Sequence, residues 1–148
     1  MRQMAATELL RRTFHVMGGD FDKAGEVSTE VKALLVEIGV DSATARRVAR
    51  ASFEAEMNQV MYADKGTVEL AVTEEAVQMT FQDEGQGIED IEQAMQPGYS
   101  TSTDWMRAMG FGLGMGLPNI KDNSDEFHIE STPGIGTLLK ITVKMNRA

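Results

Sequence analysis

The sequence predicts an α+β two-layer sandwich, with a mostly antiparallel sheet carrying its helices on one face. Three observations support this. Two early segments carry helix-forming patterns: Val31, Leu34, Leu35 and Ile38 follow i, i+3, i+4, i+7 spacing, and a long stretch follows Asp41. Segments with two-residue alternation come in pairs joined by short polar turns, which link antiparallel neighbours but are too short for a parallel crossover. Between these groups, from Asp83 to Gly116, glycines and hydroxyl residues accumulate. Helices gathered beside hairpin-linked strands favour this architecture over a parallel doubly wound sheet.

Taken in order, Thr13 to Phe21 suits a short strand ending in the Gly18-Gly19 turn. Ser28 or Thr29 is expected to cap the first helix, which Gly39 stops. Asp41 or Ser42 caps a second helix running to about Ala63, and Arg46, Arg47 and Arg50 give its early turns a basic exposed side. Thr67–Thr73 and Ala76–Gln82 read as a hairpin across Glu74-Glu75, alternating as Val68/Leu70/Val72 and Val77/Met79/Phe81. The following loop to Gly116 holds one short helical piece, Glu89–Met95, and loops of that length commonly serve as functional lids. A helix through about Asn123, a strand Glu126–Ser131, a turn at Pro133-Gly134-Ile135-Gly136 and a strand Thr137–Lys144 complete the chain.

Composition narrows the function. A chain of 148 residues, 42% hydrophobic and 25% charged, is expected to form one domain with its own core, spanning 1–148. The net charge of −9 repels nucleic-acid phosphates, so nucleic acid is not an expected partner. The absence of cysteine excludes disulfides, thiol nucleophiles and thiolate metal sites. No apolar run approaches the roughly 20 residues of a membrane span, and the first residues lack a signal-peptide core, so the expected location is cytoplasmic.

Three clusters carry candidate chemistry. Gly110, Gly112, Gly114 and Gly116 alternate before a helix, where missing side chains would let a polyphosphate approach successive backbone amides. The bland alternative is a flexible connector. No Gly-Lys-Ser/Thr follows, so this is not a Walker A loop, and the spacing is not that of a Rossmann fingerprint. Asp83-Glu84-Gly85-Gln86-Gly87-Ile88 lies where the hairpin ends. An ionised Asp83 only accepts hydrogen bonds and would match a donor such as an exocyclic adenine amine, with Gly85 and Gly87 letting a base lie against the backbone; a plain polar turn is the alternative. Glu54 and Asn58, four apart on the long helix, project from one face and can converge on one polar ligand, although such pairs also occur on solvated helix faces. A single Asn oxygen with substrate phosphates is enough to hold Mg²⁺.

Taken together and in order, Glu54-x-x-x-Asn58, Asp83-x-Gly85-x-Gly87-Ile88, Gly112-Leu-Gly114-Met-Gly116 and Gly134-Ile-Gly136-Thr137 resemble the N-box, the two glycine boxes and the final Gly-Thr of the Bergerat (GHKL) ATPases. The likeness covers about 45–144 and looks closest to the switch-protein serine/threonine kinase and anti-sigma factor branch. It implies ATP and Mg²⁺ as cofactors, with Asn58 on the metal and Glu54 as general base or orienter. It also implies Asp83 on the adenine amine, Gly85, Gly87 and Ile88 around the base, Gly112, Gly114 and Gly116 at the phosphates, and Thr137 supporting the adenine end. Residues 96–111 would form an ATP lid offering Ser100, Thr101 and Arg107 to a phosphate. The function so implied is phosphorylation of a sulfate-transporter/anti-sigma-antagonist (STAS) domain partner. The alternative is an ATP-binding module that sequesters a partner, including a sigma factor, without obligatory transfer. Homodimerisation is compatible with both. Histidine-kinase chemistry is disfavoured because His15 and His128 lie in no phosphoacceptor box.

Overall fold

The structure, a computed structural model, describes residues 7–96 and 116–146. One five-stranded sheet contains β1 (Glu8–Met17), β2 (Ala63–Thr73), β3 (Ala76–Gly85), β4 (Glu126–Thr132) and β5 (Gly136–Lys144), in the order β1-β2-β3-β5-β4. Every pairing among these strands is antiparallel, so the described sheet is not mixed. The helices are α1 (Glu26–Glu37), α2 (Ser42–Tyr62), α3 (Ile91–Ala94) and α4 (Gly116–Asp122), with a 3-10 turn at Phe21–Lys23.

The alternation seen in sequence becomes rows of side chains across the sheet. Phe14, Val68, Phe81, Leu139 and Ile129 are neighbours in register, as are Leu70, Met79, Ile141 and Phe127, and both rows belong to the core or pack against it. Thr67, Glu69, Gln78, Gln82 and Lys140 point to the other face and are exposed. Each large apolar side chain buried in these rows contributes on the order of 1.5–3 kcal/mol. Helix α2 supplies the second layer through Ala45, Val48, Ala51, Ala55 and Val60, touching β1, β2, β3 and β5, while α1 and α4 pack against α2.

Several boundaries differ from the sequence reading for identifiable reasons. Strand β1 starts at Glu8 and stops at Met17, whereas Thr13 to Phe21 was expected. The Gly18 and Gly19 amides donate to Asp64 O (3.0 Å) and Val60 O (2.7 Å), which draws the chain off the sheet edge and over the end of α2. The first half of β1 is a mostly exposed edge, so its pairing with β2 leaves no apolar alternation to read. Strand β2 begins at Ala63, directly from α2 without a loop, and β3 continues past Gln82 to Gly85.

Helix α1 begins at Glu26, capped at Gly25, earlier than a cap at Ser28 or Thr29 would allow. The reason lies on α2. The Glu56 carboxylate, 2% exposed, accepts from the amides of Gly25 (2.9 Å), Val27 (3.3 Å) and Ser28 (2.9 Å). These are amides at a helix start that have no intrahelical partner, and an anion there also complements the helix dipole. Asp41 caps α2 as expected, accepting from the Thr44 amide at 2.9 Å and from its hydroxyl.

Replacing Glu56 removes the acceptor from buried amides. Glu56→Ala is expected to lower the unfolding free energy by about 3 kcal/mol, and Glu56→Gln, which keeps one acceptor oxygen, by clearly less. Urea denaturation measures both; equal midpoints for wild type and Glu56→Ala would show that the α1–α2 tie does not govern stability.

Candidate functional site

Helix α2 presents two polar residues on the face turned away from Glu56. Glu54 and Asn58, one turn apart, are both half-buried. The first residue of α4, Gly116, lies against them: a Cβ built there would stand 3.4 Å from Glu54 Oε2 and 3.5 Å from Asn58 Oδ1. With glycine at this position, no side chain of α4's first residue covers either group. Asn119, three residues further along α4, hydrogen-bonds the Glu54 carboxylate through its side chain. Burial raises the Glu54 pKa above its ordinary value, and the Asn119 hydrogen bond only partly opposes this.

The other end of the site is built on the sheet. Asp83 continues the inward-facing series Val77, Met79, Phe81 and is half-buried where that apolar row ends. Its carboxylate accepts from the Thr137 amide at 3.2 Å, and burial nonetheless raises its pKa. Thr137 Oγ1 lies 2.8 Å from Ser131 Oγ, which accepts from the Ile88 amide at 2.7 Å. Asp83, Thr137, Ser131 and Ile88 thus form one connected polar corner beside the core.

Gln59 sets α2 over this corner. Its buried side chain lies above Gly66, where any Cβ would meet the Gln59 amide group at 2.6–2.9 Å, and its Nε2 donates to Thr67 O (3.2 Å) and Gln82 O (3.4 Å). Gly66 is the β2 partner of Asp83. The helix turn carrying Asn58 and Gln59 is therefore pinned to the end of the sheet that carries Asp83.

The structure brings together Glu54, Asn58 and Gly116 at one end and Asp83, Ile88 and Thr137 at the other. Gly85 and Gly87 also have a packing reason. A Cβ on Gly85 would lie 2.7 Å from Tyr62 O, and Gly87 has φ +71° with its Cβ position 2.4 Å from Thr132 O, so chain crossings demand glycine at both. Gly112, Gly114, Ser100, Thr101, Arg107 and lid residues 97–111 lie outside the described residues. Sequence reasoning missed Asn119, Ser131, Gln59 and the role of Glu56. The clues for Asn119 and Gln59 were their places, one turn after Gly116 and next to Asn58; Ser131 carried no local signal. Among the described residues no three His, Asp or Glu side chains converge as a metal site, so Mg²⁺ held here would depend on Asn58 and ligand oxygens.

Residues 19–143 match the histidine kinase-like ATPase domain family, and the chain belongs to that family. Its relatives are of the switch-kinase and anti-sigma branch. It is 33% identical over 105 residues to the serine/threonine-protein kinase RsbT of Bacillus subtilis, covering 68% of this chain and 73% of that one. It is 38% identical over 81 residues to an anti-sigma F factor of Caldanaerobacter subterraneus, covering 55% of this chain and 53% of the relative, so the chain spans about half the length of the anti-sigma relatives it matches. Two solved structures share the fold. The RsbU and RsbW domains of a Mycobacterium tuberculosis protein match with TM-score 0.62 and 18% identity, over 93% of this chain and 33% of that one. The SiaB–SiaC complex of Pseudomonas aeruginosa matches with TM-score 0.58 and 17% identity, over 92% and 91%. No helix among the described residues is long and apolar enough to cross a membrane.

A carboxyl group whose pKa is raised by burial favours folding when protonated, so this contribution is present below its ordinary pKa and is lost as pH rises through the folded-state value. Glu54→Gln, which mimics the neutral form, should therefore raise the thermal midpoint of the ligand-free protein at pH 7–8, and the gain should vanish below about pH 4.5. A lower midpoint for Glu54→Gln at pH 8 would show that its charge is not buried at a cost.

Proposed function

We propose that this chain is an ATP-dependent serine/threonine protein kinase whose acceptor is a STAS-domain switch protein. The observation that carries the reading is the juxtaposition of Glu54 and Asn58 across the open position at Gly116, with Glu54 desolvated and held by Asn119. Family membership supports ATP as the nucleotide, and similarity to a serine/threonine kinase of this size supports transfer to a protein hydroxyl.

Asp83, an acceptor in a half-buried corner, takes the amino group of adenine, and the Thr137 amide and the Ser131 hydroxyl hold that corner in place. Asn58 offers an amide oxygen to Mg²⁺, which when bound neutralises phosphate charge. Glu54 orients the accepting serine or threonine hydroxyl and takes its proton as the new oxygen–phosphorus bond forms and the bond to the ADP leaving group breaks. Its raised pKa suits this role, because a base works best with a pKa nearer the working pH. Gly116 keeps the space beside both side chains clear.

Similarity to anti-sigma F factors favours a second reading, in which nucleotide sets the conformation and the partner is sequestered. The two separate at Glu54: sequestration survives Glu54→Gln and phosphorylation does not.

Asp83→Asn is expected to weaken ADP and ATP binding by about 1–3 kcal/mol, since it places a donor where an acceptor is needed. Titration with a fluorescent ATP analogue, with GTP as competitor, reads this; GTP competing as well as ATP in the wild type would remove Asp83 from base recognition.

With [γ-³²P]ATP and STAS-domain proteins as acceptors, Glu54→Gln should lose transfer by roughly 10²–10⁴-fold while keeping nucleotide affinity. Asn58→Ala should lose the Mg²⁺ dependence of ATP binding. Wild-type transfer by Glu54→Gln would refute a kinase mechanism with Glu54 as its base.

A further inference from the structure

On the side of Glu54 away from Asn58, α2 continues as the floor of an open groove of about 600 Å³. Helix α1 forms one wall with Lys32, α4 and the turn after it form the other with Asn119 and Asn123, and the floor carries Arg46 and Arg50. Arg46, Arg50, Glu54 and Asn58 are each four residues apart, so they form one ridge along α2, with Arg46 about 12 Å from Glu54 along the axis.

The charge of this groove departs from that of the molecule. The whole chain carries −9, yet among the described residues the groove lining holds three cations, Lys32, Arg46 and Arg50, and a single carboxylate, Glu54, at its inner end. Lys32, Arg46 and Arg50 are exposed, and among the described residues none of them meets a carboxylate; the adjacent Arg47 does pair, with Asp125 at 3.3 Å. Helix α1 is held at this position by Glu56, so Lys32 faces the two arginines as part of a fixed frame.

We propose that this groove docks an acidic segment of the acceptor protein, seating its carboxylates on Arg50, Arg46 and Lys32 and presenting the neighbouring hydroxyl to Glu54. The proposal rests on the kinase reading and adds the specificity of its protein substrate. An acidic partner would be repelled by the bulk of this protein and drawn to this basic groove, which leads to the base. Carboxylate pairing with arginine there fixes register as well as affinity. The ridge spacing defines the recognition element: acidic side chains about one and two helical turns' length, roughly 6 and 12 Å, beyond the accepting hydroxyl.

The test uses two synthetic serine peptides, identical except that glutamates flank the serine in one and lysines in the other, with binding to the full chain followed by fluorescence anisotropy. The glutamate peptide should bind at least about tenfold more tightly at low salt and weaken as NaCl screens the contact. Arg46→Glu and Lys32→Glu, on different helices, should each cost about tenfold, Arg46→Lys should retain most of the affinity, and thermal melts report whether each variant folds. Nucleotide affinity, measured separately, should be the same in Arg46→Glu as in wild type. Equal binding of the two peptides, no binding of either, or glutamate-peptide binding indifferent to both reversals would overturn the proposal. Salt-dependent self-association abolished by Arg46→Glu, without peptide binding, would overturn it in favour of a contact between copies of this chain. Failure of ATP binding alongside intact glutamate-peptide selectivity would sink the kinase reading and leave the groove assignment standing.

Discussion

The buried Glu56 carboxylate is the constraint on which much of this molecule depends. Burying an isolated charge is costly, and here three backbone amides at the start of α1 offset that cost. The bond fixes where α1 lies against α2. It also fixes the rotation of α2, because a helix that turns Glu56 inward must turn Glu54 and Asn58 to the other side. Gln59, anchored on the sheet at Thr67 and Gln82, sets the height of the same helix. Two polar side chains thus place the two that form one end of the candidate site, Glu54 and Asn58.

Two carboxylates two residues apart on α2 therefore stand in opposite environments. Glu56 has a full set of donors and is closed to solvent, whereas Glu54 is half-buried with one side-chain partner and an open position at Gly116. An incompletely satisfied carboxylate costs stability and gains basicity. The same logic applies to Asp83, which sits where a further apolar residue would complete the row Val77, Met79, Phe81. Both ends of the site are places where the core pattern is broken by a charge, and such local inconsistencies mark function more often than error.

The antiparallel sheet ties the arrangement together. Its inward rows run continuously from Phe14 to Ile129, and α2 packs across them, which joins β3 and β5 to the helix through one core. The Gly85 and Gly87 crossings against Tyr62 and Thr132 tighten this further, since the first joins the end of β3 to the end of α2. Glycine in these positions serves the frame of the site as well as any approach of a base.

By itself the sequence determined the two-layer architecture, the hairpins, the span of α2 with its Asp41 cap, and the placing of Glu54 and Asn58 on one face of that helix. All of these are written in local periodicity, turn chemistry and motif order, which act over a few residues. Only the tertiary structure decided where α1 begins, because its cap comes from Glu56, about thirty residues away. It alone showed that β1 pairs from Glu8, since an exposed edge strand is held by ladder hydrogen bonds that carry no side-chain pattern. Asn119 on Glu54, Ser131 on Ile88 and the groove that sets Lys32 opposite Arg46 and Arg50 were likewise hidden. Each joins residues on different elements, and spacing along a chain reveals the faces of one helix or strand but not which face of another element will meet them.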